Sequence, residues 1–315
     1  MKTILVTGGS GFLGQNLALQ LKKDYNVVLA SRNNKRNLMA QNITGCSVVP
    51  MDISQIESVR DAVSEISPDI IIHAAATKFV DLSEKFPMEC IDINVVGSQN
   101  VARVAIDKGV GLVIGISTDK ASPPVRNTYG MSKSIMERLY CSLGKKGGTT
   151  SFMCVRYGNV AWSTGSVLPI WKKMHDETNV ISSTGPDMRR YFFTVDEAVE
   201  LVIAALNNSE KLNGKVLSRP MKAATIRDVF TVWIEEYGGT WEKIKGRPGE
   251  RDDEFLIGEL EISYSTEVMF DNKPYYVIDF SQKTSNPVSG IVSTSTAEKL
   301  NRDGILKLIK AHHEH

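Results

Sequence analysis

KTILVTGGSGFLG, residues 2–14, is the stretch whose reading decides the fold. Residues 2–7 are a β-rich apolar run; glycines then fall at 8, 11 and 14, and an amphipathic helix runs on to about residue 23. A strand, a glycine turn and a helix in that order make a phosphate site. The glycines let the backbone turn tightly and approach a pyrophosphate, while the helix N-terminus offers unpaired N–H groups to the anion. A purely structural turn has the same spacing, but between strand and helix the pattern predicts dinucleotide binding by Gly8, Ser10, Gly11, Phe12 and Leu13.

The strand–helix alternation continues. A second strand, 26–30, ends in Ser31-Arg32-Asn33, with Lys35 and Arg36 beyond. An NAD site places a carboxylate there for the ribose 2′-hydroxyl. Arg32 suits a 2′-phosphate instead, so NADP is expected ahead of NAD; ordinary loop solubility is the alternative. SVVPMDIS (47–54) predicts a strand ending at Asp52, an acceptor for the adenine amino group, with Ile53 beside it. After a helix over 55–66, DIIIHAAA (69–76) has the apolar character of a buried parallel strand. Its last residues, Ala74, Ala75 and Ala76, are small enough for the cofactor to lie against the backbone. A long helix over 87–108 contains Asn94, which joins the cofactor set, and 111–118 and 150–160 predict two more strands. The expected fold is α/β, a Rossmann-type doubly wound parallel sheet. An NADP-binding domain is drawn over 1–160 and a mainly substrate-binding lobe over 161–315, with a soft boundary that the chain can cross back over. In the second half, helices are expected over 166–177, 194–207, 225–237 and 302–312. A basic-aromatic loop is expected over 185–193, a loop over 246–254, a strand over 275–280, and a Ser/Thr-rich connector over 281–296, ordered or flexible.

Composition narrows the class. The 315 residues are 42% apolar and 23% charged with formal net charge +1, enough for a large core and without the basic excess of a nucleic-acid binder. No apolar run approaches the ~20 residues that span a bilayer, and no secretory pattern opens the chain. Cys46, Cys90, Cys141 and Cys154 lie in apolar segments without metal-type spacing, which predicts reduced core cysteines and a cytoplasmic protein with no metal.

The chemistry is read from STDKASPPVRNTYGMSK, 117–133. Tyr129 and Lys133 stand at i and i+4, on one face of a helix. An amine beside a phenol favours the phenolate, which predicts a base near neutral pH; an exposed pair on an amphipathic helix is the bland alternative. Thr118, at a strand's carboxyl end, completes a set able to oxidise a secondary alcohol. Asp119 and Lys120 are not needed for that. Next to a new ketone, an amine can take the acidified α-hydrogen while a carboxylic acid protonates a departing β-hydroxyl. A loop ion pair is the competing reading, though exposed pairs contribute only ~0–1 kcal/mol. Asn159, Arg190, Arg247 and Glu250 fall in loops suited to gripping a nucleotide: arginine meets a pyrophosphate bidentately and a carboxylate accepts from ribose hydroxyls.

Over approximately residues 3–280 the sequence resembles the extended short-chain dehydrogenase/reductases, and within them the soluble UDP-N-acetylglucosamine 4,6-dehydratases of the polysaccharide-biosynthesis type. The resemblance is carried by TGGSGFLG (7–14), 73–101, 117–133, VRYGNV with GSVLP (155–169), MRRYFFT (188–194) and GRPGE (246–250). It implies a Thr118–Tyr129–Lys133 triad, Asp119 and Lys120 as acid and base, Lys78 near the substrate, and Asn159, Arg190, Arg247 and Glu250 as nucleotide contacts. It also implies a homo-oligomer. Phe79 departs from the usual histidine, and MRRYFFT and RDDE (251–254) depart from the family pattern, so a GDP-linked sugar stays open beside the UDP-linked one. A 4-epimerase or 5,6-dehydratase is the sibling alternative; a non-catalytic NADP-binding regulator is the alternative of another class.

Overall fold

The computed structural model describes residues 1–246 and 249–311. Its frame is six parallel strands, β1 (Thr3–Thr7), β2 (Asn26–Ser31), β3 (Ser47–Pro50), β4 (Ile70–His73), β5 (Leu112–Thr118) and β6 (Ser151–Tyr157), in the order β3-β2-β1-β4-β5-β6. Every residue of β5 is buried, as expected of a Val/Ile-rich strand covered on both faces. The helices Phe12–Leu21 and Val195–Asn207 cover one face through Leu17, Leu21, Val199 and Val202. Ile56–Ile66, Gly97–Asp107 and Thr128–Lys146 cover the other through Val59, Val101, Val104 and Met136. Strand order reverses between β1 and β4, and at such a switch point a crevice opens at the carboxyl ends.

Beyond residue 160 the chain returns to this sheet. Val216–Ser218 pairs parallel with β6, and the hairpin Ser265–Phe270 and Lys273–Ile278 adds two antiparallel strands, making nine among the described residues. A smaller lobe packs around Trp162, Trp171, Phe230, Trp233 and Ile309.

Three segments differ from, or sharpen, the sequence expectations. The 185–193 segment is not all loop: Arg189–Phe193 is a strand between Ala223–Thr225 and Asn159–Val160. Tyr191, Phe192 and Phe193 are all buried there, and the aromatic content outweighs the two arginines that suggested a surface loop. The connector is ordered. Its Val292–Ser293 pairs with Phe255–Ile257, and Thr294 and Glu254 exchange hydrogen bonds, Thr294 N–H to Glu254 O at 2.9 Å and Glu254 N–H to Thr294 Oγ1 at 3.1 Å. The long helix around Asn94 contains a wide π-type turn, Asp92–Val96, between Pro87–Ile91 and Gly97–Asp107.

Candidate active site

A cavity of about 1340 Å³ opens at the switch point. Single small-molecule sites usually occupy roughly 300–1,000 Å³, so there is room for a dinucleotide and a second nucleotide. Gly8 has φ +68°, and a Cβ on it would stand 2.8 Å from the Ala75 backbone. The turn therefore presents bare backbone, and no side chain caps the first turn of Phe12–Leu21, leaving N–H groups free for an anion. These features fit a dinucleotide. Ser10, Phe12, Leu13, Arg32, Asp52, Ile53 and the three alanines at 74–76 line the same cavity. Asp52 spends one oxygen on Ser54. Ser10 Oγ meets Ser31 Oγ at 2.8 Å, and Ser31 Oγ donates to Asn37 Oδ1 at 2.6 Å, which fixes the end of β2 just before Arg32.

Asn94 stands behind the wall. Its side chain accepts from Thr77 N–H and donates to Thr77 O and Ser132 Oγ, each at 2.9 Å, clamping the floor loop to the helix that carries Tyr129. A relay missed by sequence reading runs through the same floor. Ala75 N–H donates to Thr7 Oγ1 (3.1 Å), which pairs with His73 Nδ1 (2.8 Å); His73 Nε2 pairs with Ser98 Oγ (3.0 Å), which donates to Asn94 O (2.6 Å). Ser98 has one proton and gives it to Asn94, so His73 donates from Nε2 and accepts at Nδ1. Burial, aided by Lys133, holds His73 down at about 3.

The residues expected to react come from two elements. β5 delivers Thr118 into a single tight turn, Asp119–Ala121, and Asn127 Oδ1 caps the Thr128–Lys146 helix by accepting from Gly130 N–H at 2.8 Å. Gly130 leaves no room for a Cβ against the Lys120 carbonyl, so a glycine after Tyr129 is what brings the helix onto that turn. Thr118 Oγ1 donates to Asp119 Oδ1 at 3.0 Å. Lys120 Nζ lies 3.0 Å from Asp119 Oδ1, 3.3 Å from Asn159 Oδ1 and 3.4 Å from Glu254 Oε1. Thr118, Lys120, Tyr129 and Lys133 line the cavity. Asp119 is fully buried, and its Oδ2 has no partner.

Electrostatics correct one expectation. Burial pushes Tyr129 up to about 12, and the cation opposing it is Lys120. Lys133 does not bring the phenol to neutral pH: its amine is buried 3.4 Å from the Met136 thioether, and burial lowers it to about 8. Burial and Glu254 raise Asp119 against the pull of Lys120. Burial disfavours the Lys120 ammonium, but Asp119 and Glu254 outweigh it and raise it.

Of the residues expected to hold substrate, Lys78, Asn159, Arg190 and Glu250 all line the cavity; Arg247 lies outside the described residues. Burial lowers Lys78 to about 8, and the Phe79 ring packs against Gly165. Thr184 Oγ1 donates to Glu250 Oε1 at 3.0 Å. Glu254, unassigned from sequence, is a central carboxylate: besides Lys120 it accepts from Arg251 Nη2 at 2.7 Å, with Arg190 Nε at 3.9 Å.

With that geometry in place, comparison with known proteins is decisive. A family model described as polysaccharide biosynthesis protein matches residues 4–273. The chain belongs to that polysaccharide biosynthesis protein family. Among its relatives, a Campylobacter jejuni UDP-N-acetylglucosamine 4,6-dehydratase (inverting) is 30% identical, over 95% of this chain and 89% of that one. A Rickettsia felis UDP-glucose 4-epimerase is 32% identical, over 83% and 79%. The X-ray structure of Pen from Bacillus thuringiensis matches with TM-score 0.89 and 27% identity, over 98% and 96%. The polysaccharide biosynthesis chain thus falls among nucleotide-sugar dehydratases and epimerases of the extended short-chain dehydrogenase/reductase type. Among the described residues no helix is long and apolar enough to cross a membrane, and no His/Cys/Asp/Glu group could hold a metal.

Proposed function

We propose that the protein is an NADP-dependent nucleotide-sugar 4,6-dehydratase. Its substrate on this reading is UDP-N-acetylglucosamine, with the GDP-linked sugar as the alternative. One observation carries it: Lys120, ion-paired with Asp119 at 3.0 Å, lines the cavity that Thr118 and Tyr129 also line. Alcohol oxidation needs no such pair; removal of water beside a ketone does. A bound oxidised nicotinamide dinucleotide supplies a hydride acceptor and later returns the hydride, so no net oxidation results.

The chain's own groups divide the remaining work. Tyr129 receives the C4 hydroxyl proton, Thr118 holds that oxygen, and Lys133 holds the cofactor ribose. Lys120 faces the sugar and, as the free amine left when its own proton passes to Asp119 3.0 Å away, removes the C5 proton, and the pair supplies the proton that leaves with the C6 hydroxyl. Asn159, Arg190, Arg247 and Glu250 hold the nucleotide and Lys78 lies near the sugar. Support for NADP comes from Arg32 and Arg36, which line the cavity beyond a β2 end, Ser31-Arg32-Asn33, without a carboxylate. Four buried, unpaired cysteines support a reducing, cytoplasmic setting. Support for a homo-oligomer comes from Leu82, Met88, Ile91, Met131 and Ile135, exposed on the adjoining helices Val80–Lys85, Pro87–Ile91 and Thr128–Lys146.

The test is incubation with UDP- and GDP-N-acetylglucosamine followed by mass spectrometry of the product. Loss of one water with a new ketone is expected. A product of unchanged mass favours the 4-epimerase, for which the Rickettsia relative speaks. Tight NADP binding with no turnover of either sugar favours a non-catalytic binder.

A further inference from the structure

β5 lies between β4 and β6 in the sheet, with Thr118 and the Asp119–Ala121 turn at its carboxyl end. One contact joins the chain beyond β4 to the chain beyond β6. The Phe79 ring, in the loop after β4, lies on Gly165, in the turn beyond β6, so closely that a Cβ at 165 would collide with it. Both residues line the cavity that Thr118, Lys120 and Tyr129 also line. The contact therefore bridges the two walls on either side of the expected reacting groups.

The backbone is held at both ends of the bridge. Asn94 clamps Thr77 through its N–H and its carbonyl, each at 2.9 Å, and Phe79 O accepts from Ser83 N–H at 2.9 Å. On the other wall Ser166 N–H donates to Ser163 O at 2.8 Å. This closes a four-residue turn whose third residue is Gly165, at φ +76°, where glycine is favoured. Just before that turn, Trp162 Nε1 donates to Leu308 O at 3.0 Å. With both backbones fixed, the part left to move is the Phe79 side chain, 37% exposed, by a change of rotamer.

A phenyl ring has no hydrogen bond to offer a sugar, while Lys78, Lys120 and Asn159 on the same cavity wall are polar. What the ring contributes there is cover. We infer that Phe79 is a side-chain gate over the sugar, closed on Gly165, and that this closure decides which product leaves. The ring swings off Gly165 for a nucleotide sugar to enter or depart.

The choice of product rests on the dehydratase reading. Oxidation at C4 leaves a hydride on the nicotinamide dinucleotide, and loss of water across C5 and C6 gives an unsaturated ketone. The 4-keto-6-deoxy product forms only when that hydride returns to C6 and a proton returns to C5. An unsaturated ketone that escapes first is released with one water and one proton, and one dinucleotide stays reduced. A cover closed by apolar contact retains it until the hydride returns, and keeps solvent away without engaging Lys120 or Asp119.

Two measurements test the gate. In the first, holoenzyme carrying the reduced cofactor, which takes no hydride, is loaded with UDP- or GDP-N-acetylglucosamine, and release is followed by tryptophan fluorescence, Trp162 lining the cavity. The ring contact breaks before the sugar leaves, so Phe79→Ala is expected to release the nucleotide sugar about tenfold faster. UDP or GDP alone, with no sugar under the ring, should leave at the wild-type rate. Phe79→Met, long enough to lie on Gly165, should stay nearer the wild type. In the second, turnover with oxidised cofactor is followed by reduced-nicotinamide absorbance and product mass. Phe79→Ala is expected to accumulate reduced nicotinamide in step with a product two hydrogens lighter than the 4-keto-6-deoxy sugar, and the wild type neither. Equal release of the nucleotide sugar from wild type and Phe79→Ala, or equal acceleration of the bare nucleotide, overturns the gate. Faster release from a Phe79→Ala that makes no lighter product overturns its part in product choice. Faster release with no water lost by the wild type leaves the gate standing and removes the dehydratase reading, and binding of neither sugar overturns both.

Discussion

Arg156 and Glu137 meet in a two-pronged ion pair, Nε to Oε1 at 2.9 Å and Nη2 to Oε2 at 2.6 Å, with both side chains buried. Glu137 stands one turn past Lys133 on the Tyr129 helix. The remaining Arg156 donors go to Glu261 (2.8 and 2.9 Å) and to the Leu256 carbonyl (2.7 Å), so all five N–H groups are used. Ser122, two residues past Lys120, donates to Glu261 Oε2 at 2.8 Å. One buried guanidinium therefore ties together the Tyr129 helix, the Asp119–Ala121 turn and the segment leading from Glu254.

Replacing Arg156 by methionine leaves two buried carboxylates without their cation, a loss of about 3–5 kcal/mol, to be read from urea unfolding. The pH dependence has a definite sign. Arg156 overcomes burial to hold Glu261 below the ordinary carboxylate range. The folded value thus lies below the unfolded one, so the contribution is present at neutral pH and disappears as pH falls through the folded value. The wild type should lose this stability on acidification and Arg156→Met should not. A variant within about 1 kcal/mol of wild type would show that the network adds little to stability.

His73 gives a second pH signature. It is neutral and fully buried, held at about 3 from an ordinary 6.5. Below about 6.5 the unfolded chain binds a proton that the native state refuses, so stability falls by about 1.4 kcal/mol per pH unit until about 3. In His73→Gln that slope should shrink by one proton, measured by unfolding at several pH values between these limits. An unchanged slope would mean that His73 is protonated in the folded protein.

The parallel half of the fold is legible in the sequence because buried strands and glycine turns have local signatures, and Thr118, Lys120, Tyr129 and Lys133 sit in one short stretch. Two site features were not read. At a strand end neighbouring side chains alternate faces, which was the available sign that Asp119 turns inward while Thr118 and Lys120 reach the cavity. Glu254 had no such sign. It stands in an acidic run, RDDE, with Asp252 and Asp253 beside it, and only the pairing of the connector at Thr294 and the closeness of Lys120 set it apart. Partners from 40 to 134 residues away in the chain, as Thr294 and Lys120 are, leave no local pattern.

Arg32 tests cofactor choice. It is exposed at the rim of the cavity, one residue beyond the ordered Ser31. A charge-assisted hydrogen bond to a 2′-phosphate is worth ~1.5–3 kcal/mol, so Arg32→Ala should weaken NADP relative to NAD by about tenfold or more. Titration of the protein with both reduced cofactors, read by fluorescence, gives the ratio. An unchanged ratio would move the role to Arg36.

Glu254→Gln separates electrostatics from packing. Glutamine keeps the size of the side chain and an oxygen for Arg251, but removes the negative charge 3.4 Å from Lys120 Nζ. Glu254 raises both Lys120 and Asp119, so its neutralisation lowers both, the amine because it loses a stabilising anion and the carboxyl because it loses a repelling one. Both limbs of the kcat/KM profile should therefore move to lower pH. Damage to substrate binding would lower the profile without moving it. A Glu254→Gln profile with its limbs in place and only its height reduced would make Glu254 a structural clamp for Arg251 and leave the tuning of Lys120 to Asp119.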